Sequence, residues 1–241
     1  SRNGLSVLMS KKLCDLNLLD GGTQFFPLNI YEERETEGLF QVIQYADAFE
    51  IKNCLSKYSL DYIRGKYQSN AINPEDVFYY VYGILHSTEY REKFENNLLK
   101  ELPRIPLVNN FDDFIIFSKT GKRLGDLHIN FEEAEPFDVE IKFTNIEKSE
   151  LNPKRYYRVE KMKFINTPDK SKIKYNKDII IESIPLEAYE YKVNGRSPIE
   201  WVMDKICITK NNVTGRINDA NDYANEIKNN PSYPLEILQK V

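Results

Sequence analysis

Ile72–Leu107 reads INPEDVFYYVYGILHSTEYREKFENNLLKELPRIPL. Its punctuation predicts two consecutive helices and a stiff exit. Asn73 is placed to cap the first helix, 74–86, and Pro74 takes the first helical position, where a missing N–H costs nothing. Ser87 caps the second, 88–101, and Pro103 and Pro106 stop it. Val77, Tyr80, Val81 and Ile84 recur at i, i+3, i+4 and i+7, one apolar stripe to bury. Nothing in the stretch has the spacing of a catalytic or metal site, so it reads as scaffold.

On its N-terminal side, LSVLMS (5–10) and FFPLNIY (25–31) read as strands around a Gly21-Gly22 turn. Pro27 marks an edge strand or a bulge. Residues 45–70 are ambiguous between a short helix and a loop. On the C-terminal side, Asn110 caps a third helix that buries Phe111, Phe114 and Ile115, with Asp113 at its positive end. It runs towards Leu127, with Gly121 and Gly125 obscuring its end. Strands are expected over 137–142, 155–165, 178–184 and 188–193, with turns at Asn152-Pro153, Thr167-Pro168-Asp169 and Asn194-Gly195. Ser197-Pro198-Ile199-Glu200 has the form of a capping box with Pro at the first helical position. Ile199, Val202, Met203 and Ile206 share one face of that helix, and Trp201 is expected to pack on the core. Two last helices fall around 219–229 and 234–240. The order predicts an α+β fold, a helical lobe packed with a β-rich lobe of mostly antiparallel strands. One domain, 1–241, is expected. Its lobes would be 1–135 (mainly helical, with N-terminal strands), 136–196 (β-rich) and 197–241 (helical).

The composition narrows the function. The 241 residues are 41% hydrophobic and 29% charged, enough to bury a core. Apolar runs fall far short of the twenty or so residues of a membrane span, and residues 1–20 carry Lys11, Lys12 and Asp15 where a signal peptide needs an apolar stretch. Cys14, Cys54 and Cys207 are too scattered for a metal site or a disulfide framework, which predicts a reduced, cytoplasmic setting. His86 and His128 read as ordinary packing residues. The net charge is −4, unlike a simple DNA binder. Yet Lys148–Lys177 holds ten Lys/Arg against Glu150, Glu160 and Asp169, a net +7, which leaves −11 for the rest. A duplex would meet this window and avoid the acidic stretch Asp126–Glu140.

Three motifs invite catalytic readings. Thr120-Gly121-Lys122-Arg123 lacks the earlier glycine of a phosphate-binding loop, with Ile116 in its place. Asn230-Pro231-Ser232-Tyr233 is one residue from the N-P-P-Y loop of amino-methyltransferases, but no glycine-rich cofactor loop precedes it. Glu140-Ile141-Lys142, with Asp126 as an earlier carboxylate, fits a metal-dependent nuclease of PD-(D/E)xK type. Strand alternation explains the same residues, with Phe137, Val139 and Ile141 inward and Asp138, Glu140 and Lys142 outward. The basic window remains. Lys154-Arg155-Tyr156-Tyr157-Arg158 interleaves cations with flat rings at an expected strand start, so Lys154, Arg155 and Arg158 are candidate base readers. Lys170, Lys172, Lys174 and Lys177 surround a polar turn and are candidate phosphate contacts. Lys161 and Lys163 complete the DNA-binding set.

Several blocks point to one family. They are Phe26-Pro27-Leu28-Asn29-Ile30-Tyr31, the Ile72–Leu107 stretch with its Arg104-Ile105-Pro106-Leu107 exit, Tyr189–Val202 (YEYKVNGRSPIEWV), and Asn218-Asp219-Ala220-Asn221-Asp222. In this order they resemble the C-terminal target-recognition (specificity) domain of single-chain restriction–modification enzymes of the Type ISP class, and of adenine methyltransferases related to them. Ala220 stands where that family often has Pro. The resemblance implies sequence-specific recognition of double-stranded DNA by a piece that is not catalytic alone. It implies an adenine methyltransferase domain directly upstream and, in Type ISP members, a nuclease and an ATP-driven translocase further upstream. S-adenosylmethionine, Mg²⁺ and ATP would belong to those parts, so no cofactor and no metal is expected here, and a monomer is expected. A helical docking module for the methyltransferase is the second reading, with Phe78, Tyr79, Tyr82 and Tyr90 as its exposed aromatics. The nuclease is the third.

Overall fold

The computed structural model describes residues 4–19, 22–33 and 49–241. The expected Gly21-Gly22 turn lies partly outside them, as does the start of the ambiguous 45–70 stretch. The chain divides into two compact units, with the break in sequence after Ile129.

In the first unit, β1 (Asn29–Glu33) pairs antiparallel with β2 (Phe49–Asn53), Tyr31 facing Ile51. The strand begins two residues after Pro27, which has no N–H to donate to a ladder. Residues 5–10, expected as a strand, are irregular. Four helices follow in sequence: α1 (Lys57–Tyr67), α2 (Pro74–His86), α3 (Thr88–Lys93) and α4 (Glu95–Leu98). Asn73 caps α2 reciprocally with Asp76. The expected helix 88–101 is broken at Phe94 into α3 and α4. Leu102–Val108 then runs without secondary structure, as Pro103 and Pro106 dictate. Tyrosine hydroxyls satisfy its carbonyls instead. Tyr80 donates to Pro106 (2.6 Å), Tyr90 to Arg104 (2.9 Å) and Tyr67 to Val108 (2.8 Å).

α5 (Phe111–Ile129) passes straight through Gly121 and Gly125. These glycines do not end the helix; they let it touch α2. A Cβ on Gly121 would lie 2.0 Å from the Tyr79 carbonyl oxygen, and one on Gly83 would lie 2.6 Å from that of Phe117. Tyr80 stacks on Phe114 at 4.6 Å between the same helices. Tyr82 and Tyr90 are buried, and Phe78 and Tyr79 half-buried, so the aromatics expected to form a docking surface are largely internal. The Tyr82 hydroxyl meets His128 Nδ1 at 2.5 Å, and His86 Nδ1 meets the Tyr82 carbonyl at 2.9 Å. Burial holds both imidazoles below their usual range, His86 at about 4, so they are neutral at pH 7.

In the second unit, β3 (Glu140–Phe143), β4 (Lys163–Phe164), β5 (Ile173–Lys174) and β6 (Ile179–Glu182) form an antiparallel sheet in the order β3-β6-β5-β4. Short helices α6 (Glu147–Leu151) and α7 (Pro153–Tyr156) lie between β3 and β4 in sequence. The strand expected over 155–165 is therefore a helical turn followed by a two-residue strand. Asn152 accepts from the Arg155 N–H (3.1 Å) and Pro153 takes the first helical position, so the local signals favour a helix start. The strand expected over 188–193 is corrected too, since Leu186–Tyr189 forms a 3-10 turn.

α8 (Pro198–Lys205) opens on the expected capping box, with Ser197 fully buried and bonded reciprocally to Glu200. Asn194 and Gly195 both have positive φ and close the Val193–Arg196 turn, the backbone that Asn-Gly favours. Trp201 is half-buried. Its indole donates to the Val193 carbonyl at 2.8 Å, with Arg196 and Lys205 each 5.4 Å from the ring. β7 (Ile208–Lys210) and β8 (Ile217–Asp219) form a separate hairpin, followed by α9 (Ala220–Asp222), a π turn (Tyr223–Ile227) and α10 (Tyr233–Lys240). Ile173, Ile179 and Ile181 of the sheet share one core with Ile199 of α8 and Leu235 and Leu238 of α10. The β-rich stretch and the C-terminal helices are thus one packing unit.

Candidate nucleic-acid interface

Sheet alternation sorts the basic window. Phe164, Ile173, Ile181 and Ile141 face the core. Their neighbours face outward, and the register aligns them in a row: Lys163 opposite Lys174, Lys174 opposite Ile180, Ile180 opposite Lys142. The next row holds Glu182 opposite Glu140. Glu182 is bonded by Lys142 and by Lys172 (3.2 Å), and these two, Lys142 first, hold its carboxyl below the usual carboxylate range. Lys163 and Lys174 are different. They are exposed, directly opposed, and make no ion pair among the described residues. Like charges opposed across a ladder are destabilising. A polyanion laid over them removes that repulsion.

Other window residues are already engaged. Tyr156 is 3% exposed, and its hydroxyl donates to the Thr144 carbonyl at 2.9 Å. Tyr157 packs on the core, edge-on to Tyr156 at 5.2 Å. Neither ring is the open stacking surface that the sequence suggests. Arg158 reaches Asp219 at 2.5 Å, across 61 residues of chain, and so braces the hairpin. Lys170 reaches Glu200 at 2.7 Å and sits over the rings of Phe164 (5.5 Å) and Tyr189 (5.3 Å). Lys177 lies 3.7 Å from Asp178 and is otherwise exposed. Lys154 and Arg155 project from α7, and Lys161 from the segment after it. These three are exposed and make no ion pair among the described residues.

Within the expected DNA-binding set, the exposed cations that make no ion pair are therefore Lys154, Arg155, Lys161, Lys163 and Lys174. Four hydrogen bonds or ion pairs tie their neighbourhood to the foot of the β7–β8 hairpin. These are Arg158 to Asp219, the Ile208 N–H to the Glu160 carbonyl (2.9 Å), and both Asn221 amide groups to the Val159 backbone (2.8 and 2.9 Å). Against this geometry, the sequence profile of the Type ISP C-terminal specificity domain matches residues 1–239. The chain belongs to that family.

This specificity domain is similar to part of the ATP-dependent Type ISP restriction–modification enzyme LlaBIII bound to DNA. The TM-score is 0.77 and the identity 32%, over 98% of this chain and 14% of that one. It is also similar to part of a nuclease-deletion mutant of the Type ISP enzyme LlaGI in complex with a DNA substrate mimic. There the TM-score is 0.59 and the identity 38%, over 71% of this chain and 15% of that one. The DrdV–DNA complex shares the fold at 24% identity, with a TM-score of 0.73, over 100% of this chain and 22% of that one. Comparison with curated protein sequences gives no match. The specificity domain thus spans less than a quarter of each of these chains.

Among the described residues, no group of three His, Cys, Asp or Glu is placed to hold a metal ion. Lys142, the lysine of the nuclease-like motif, is bonded to Glu182, and Asp126 belongs to the first unit. Among the described residues no helix is long and apolar enough to cross a membrane. The sequence reading places Lys142 outward but leaves it out of the DNA-binding set, and it misses the hairpin. Asn211-Asn212 and Thr214-Gly215 between Ile208-Thr209 and Ile217 are a hairpin signal that could have found it.

Proposed function

We propose that this chain is the DNA-target-recognition module of a larger restriction–modification polypeptide and is not catalytic alone. Its attached adenine methyltransferase domain would use S-adenosylmethionine, and Mg²⁺ and ATP would serve nuclease and translocase parts if the parent carries them. The observation that carries this reading is the opposed pair Lys163 and Lys174. Two unpaired ammonium groups face each other on an otherwise acidic chain, beside three further uncompensated cations. Membership of a specificity-domain family and two DNA-bound relatives above 30% identity support it.

The test is duplex binding by the purified chain across a salt series. If all five cations reach phosphates, the slope of log K against log salt is about −4.5, and affinity falls about 500-fold between about 50 and 200 mM salt. Lys163→Ala/Lys174→Ala should flatten the slope by about two units for every duplex sequence and leave the free chain no less stable. Absence of binding at low salt, or binding indifferent to salt, would sink the reading.

A second role belongs to the first unit, that of docking the methyltransferase domain. The β1–β2 ribbon exposes Tyr31 and Ile51 as a facing pair, and α1 exposes Tyr58 and Tyr62 at i, i+4. Amide exchange in the ribbon should slow when this chain is part of its parent polypeptide. Equal exchange in both contexts would remove the docking role.

A further inference from the structure

We infer that the β7–β8 hairpin is a base-reading ribbon that enters the major groove of the target duplex. This rests on the DNA-recognition role proposed above. Residues 208–218, ITKNNVTGRIN, contain no acid, two cations, three asparagines and two threonines, within a chain of net charge −4. The strands pair Thr209 with Asn218 and Lys210 with Ile217, and the ladder continues through the Asn211 N–H to the Arg216 carbonyl at 2.8 Å. The tip is ordered by its own bonds. Asn211 Oδ1 accepts from the Val213 and Thr214 N–H groups at 2.9 Å each, and the Gly215 N–H donates to the Asn211 carbonyl at 2.8 Å. Gly215 supplies the positive φ (+69°) that closes the turn.

This tip presents Asn212, Val213 and Arg216 to solvent, flanked by Lys210. Val213 is 95% exposed and Ile217 63%. A two-stranded ribbon standing alone is marginal in water. This one is stabilised at its foot, where Arg158, Glu160, Val159 and Asn221 clamp it. The clamp joins it to the segment carrying Lys161 and Lys163. Phosphates held by those lysines would therefore fix where the tip sits.

The tip chemistry matches base edges rather than phosphates alone. B-DNA's major groove, about 12 Å wide, admits a two-stranded ribbon. Asparagine pairs with the N6/N7 edge of adenine, arginine with the O6/N7 edge of guanine, and an apolar side chain meets the thymine methyl. Asn212, Arg216 and Val213 offer one of each. Asn211 is occupied in the turn, and Arg158 in the clamp, so neither is a reader.

The test is selection from a random duplex pool by the 241-residue chain at low salt, with sequencing of the bound fraction. Asn212→Ala, Arg216→Ala and Arg216→Lys are compared with the unaltered chain. Each substitution should relax one or two neighbouring positions of the selected motif, with discrimination there falling about 5- to 150-fold. Arg216→Lys keeps the charge, so it should relax a guanine position while leaving the salt slope unchanged. Melting should not move, because the side chains are exposed. A motif unchanged in Asn212→Ala and Arg216→Lys overturns the hairpin assignment and leaves DNA recognition standing. So does a loss of affinity equal for all sequences. A chain that selects no motif at all overturns both.

Discussion

Gly121→Ala is expected to destabilise the first unit by on the order of 3–4 kcal/mol, enough to unfold much of it at moderate temperature. The added methyl would sit 2.0 Å from the Tyr79 carbonyl oxygen and 2.8 Å from the Gly83 nitrogen. Both are backbone atoms of α2, so no rotamer change relieves the clash. α2 and α5 must separate, and the Tyr80–Phe114 stack opens with them. Gly65→Ala is the control. Gly65 lies inside α1, where an added methyl would meet nothing within 4 Å, and alanine there should stabilise by about 0.5–1 kcal/mol. Thermal melts of the two variants check both signs. A Gly121→Ala chain that melts with the parent would show that the helices do not meet at this residue.

Asn221→Ala is expected to cost about 2–4 kcal/mol in the second unit, because two buried backbone groups lose their partners together. Asn221 is 3% exposed and Val159 fully buried; the asparagine amide accepts from the Val159 N–H and donates to its carbonyl. Water cannot replace the lost bonds without opening the core. Asn221 also bonds Asp219 (2.6 Å), which receives Arg158, so the foot of the hairpin loosens at the same time. Denaturant unfolding of Asn221→Ala, followed with hydrogen exchange at Ile208 and Val159, measures both effects. Unchanged stability, or exchange faster at the tip but not at the foot, would contradict the clamp.

Signals written within a few residues are legible without the fold. Asn73-Pro74, Ser197-Pro198-x-Glu200 and Asn194-Gly195 each bring their own backbone chemistry, and each appears where expected. Asn152-Pro153 is the same kind of signal as Asn73-Pro74. It passes for a turn in the sequence because a strand-like run, Arg155–Ile165, follows it. Gly121 and Gly125 mislead for a related reason. From sequence a glycine in a helix is a weak point; its use as a contact exists only once a second helix lies against it.

The candidate interface divides along the same line. Composition alone locates the cationic stretch, since its +7 stands out from an acidic chain. It does not say which cations are uncompensated. Glu182, Glu200 and Asp219 lie 10, 30 and 61 residues from the Lys172, Lys170 and Arg158 they engage. Coulomb attraction acts through space, so pairing at such separations follows the fold and not the order of residues. By itself the sequence determined the helix starts at Pro74 and Pro198, the Asn194-Gly195 turn, the family blocks and the place of the positive charge, because each is carried by neighbouring residues. The tertiary structure decided which lysines remain open to a phosphate, which tyrosines vanish into the core, and that Asn211–Arg216 stands clear on a clamped ribbon. Those depend on contacts that exist only when distant segments are packed together.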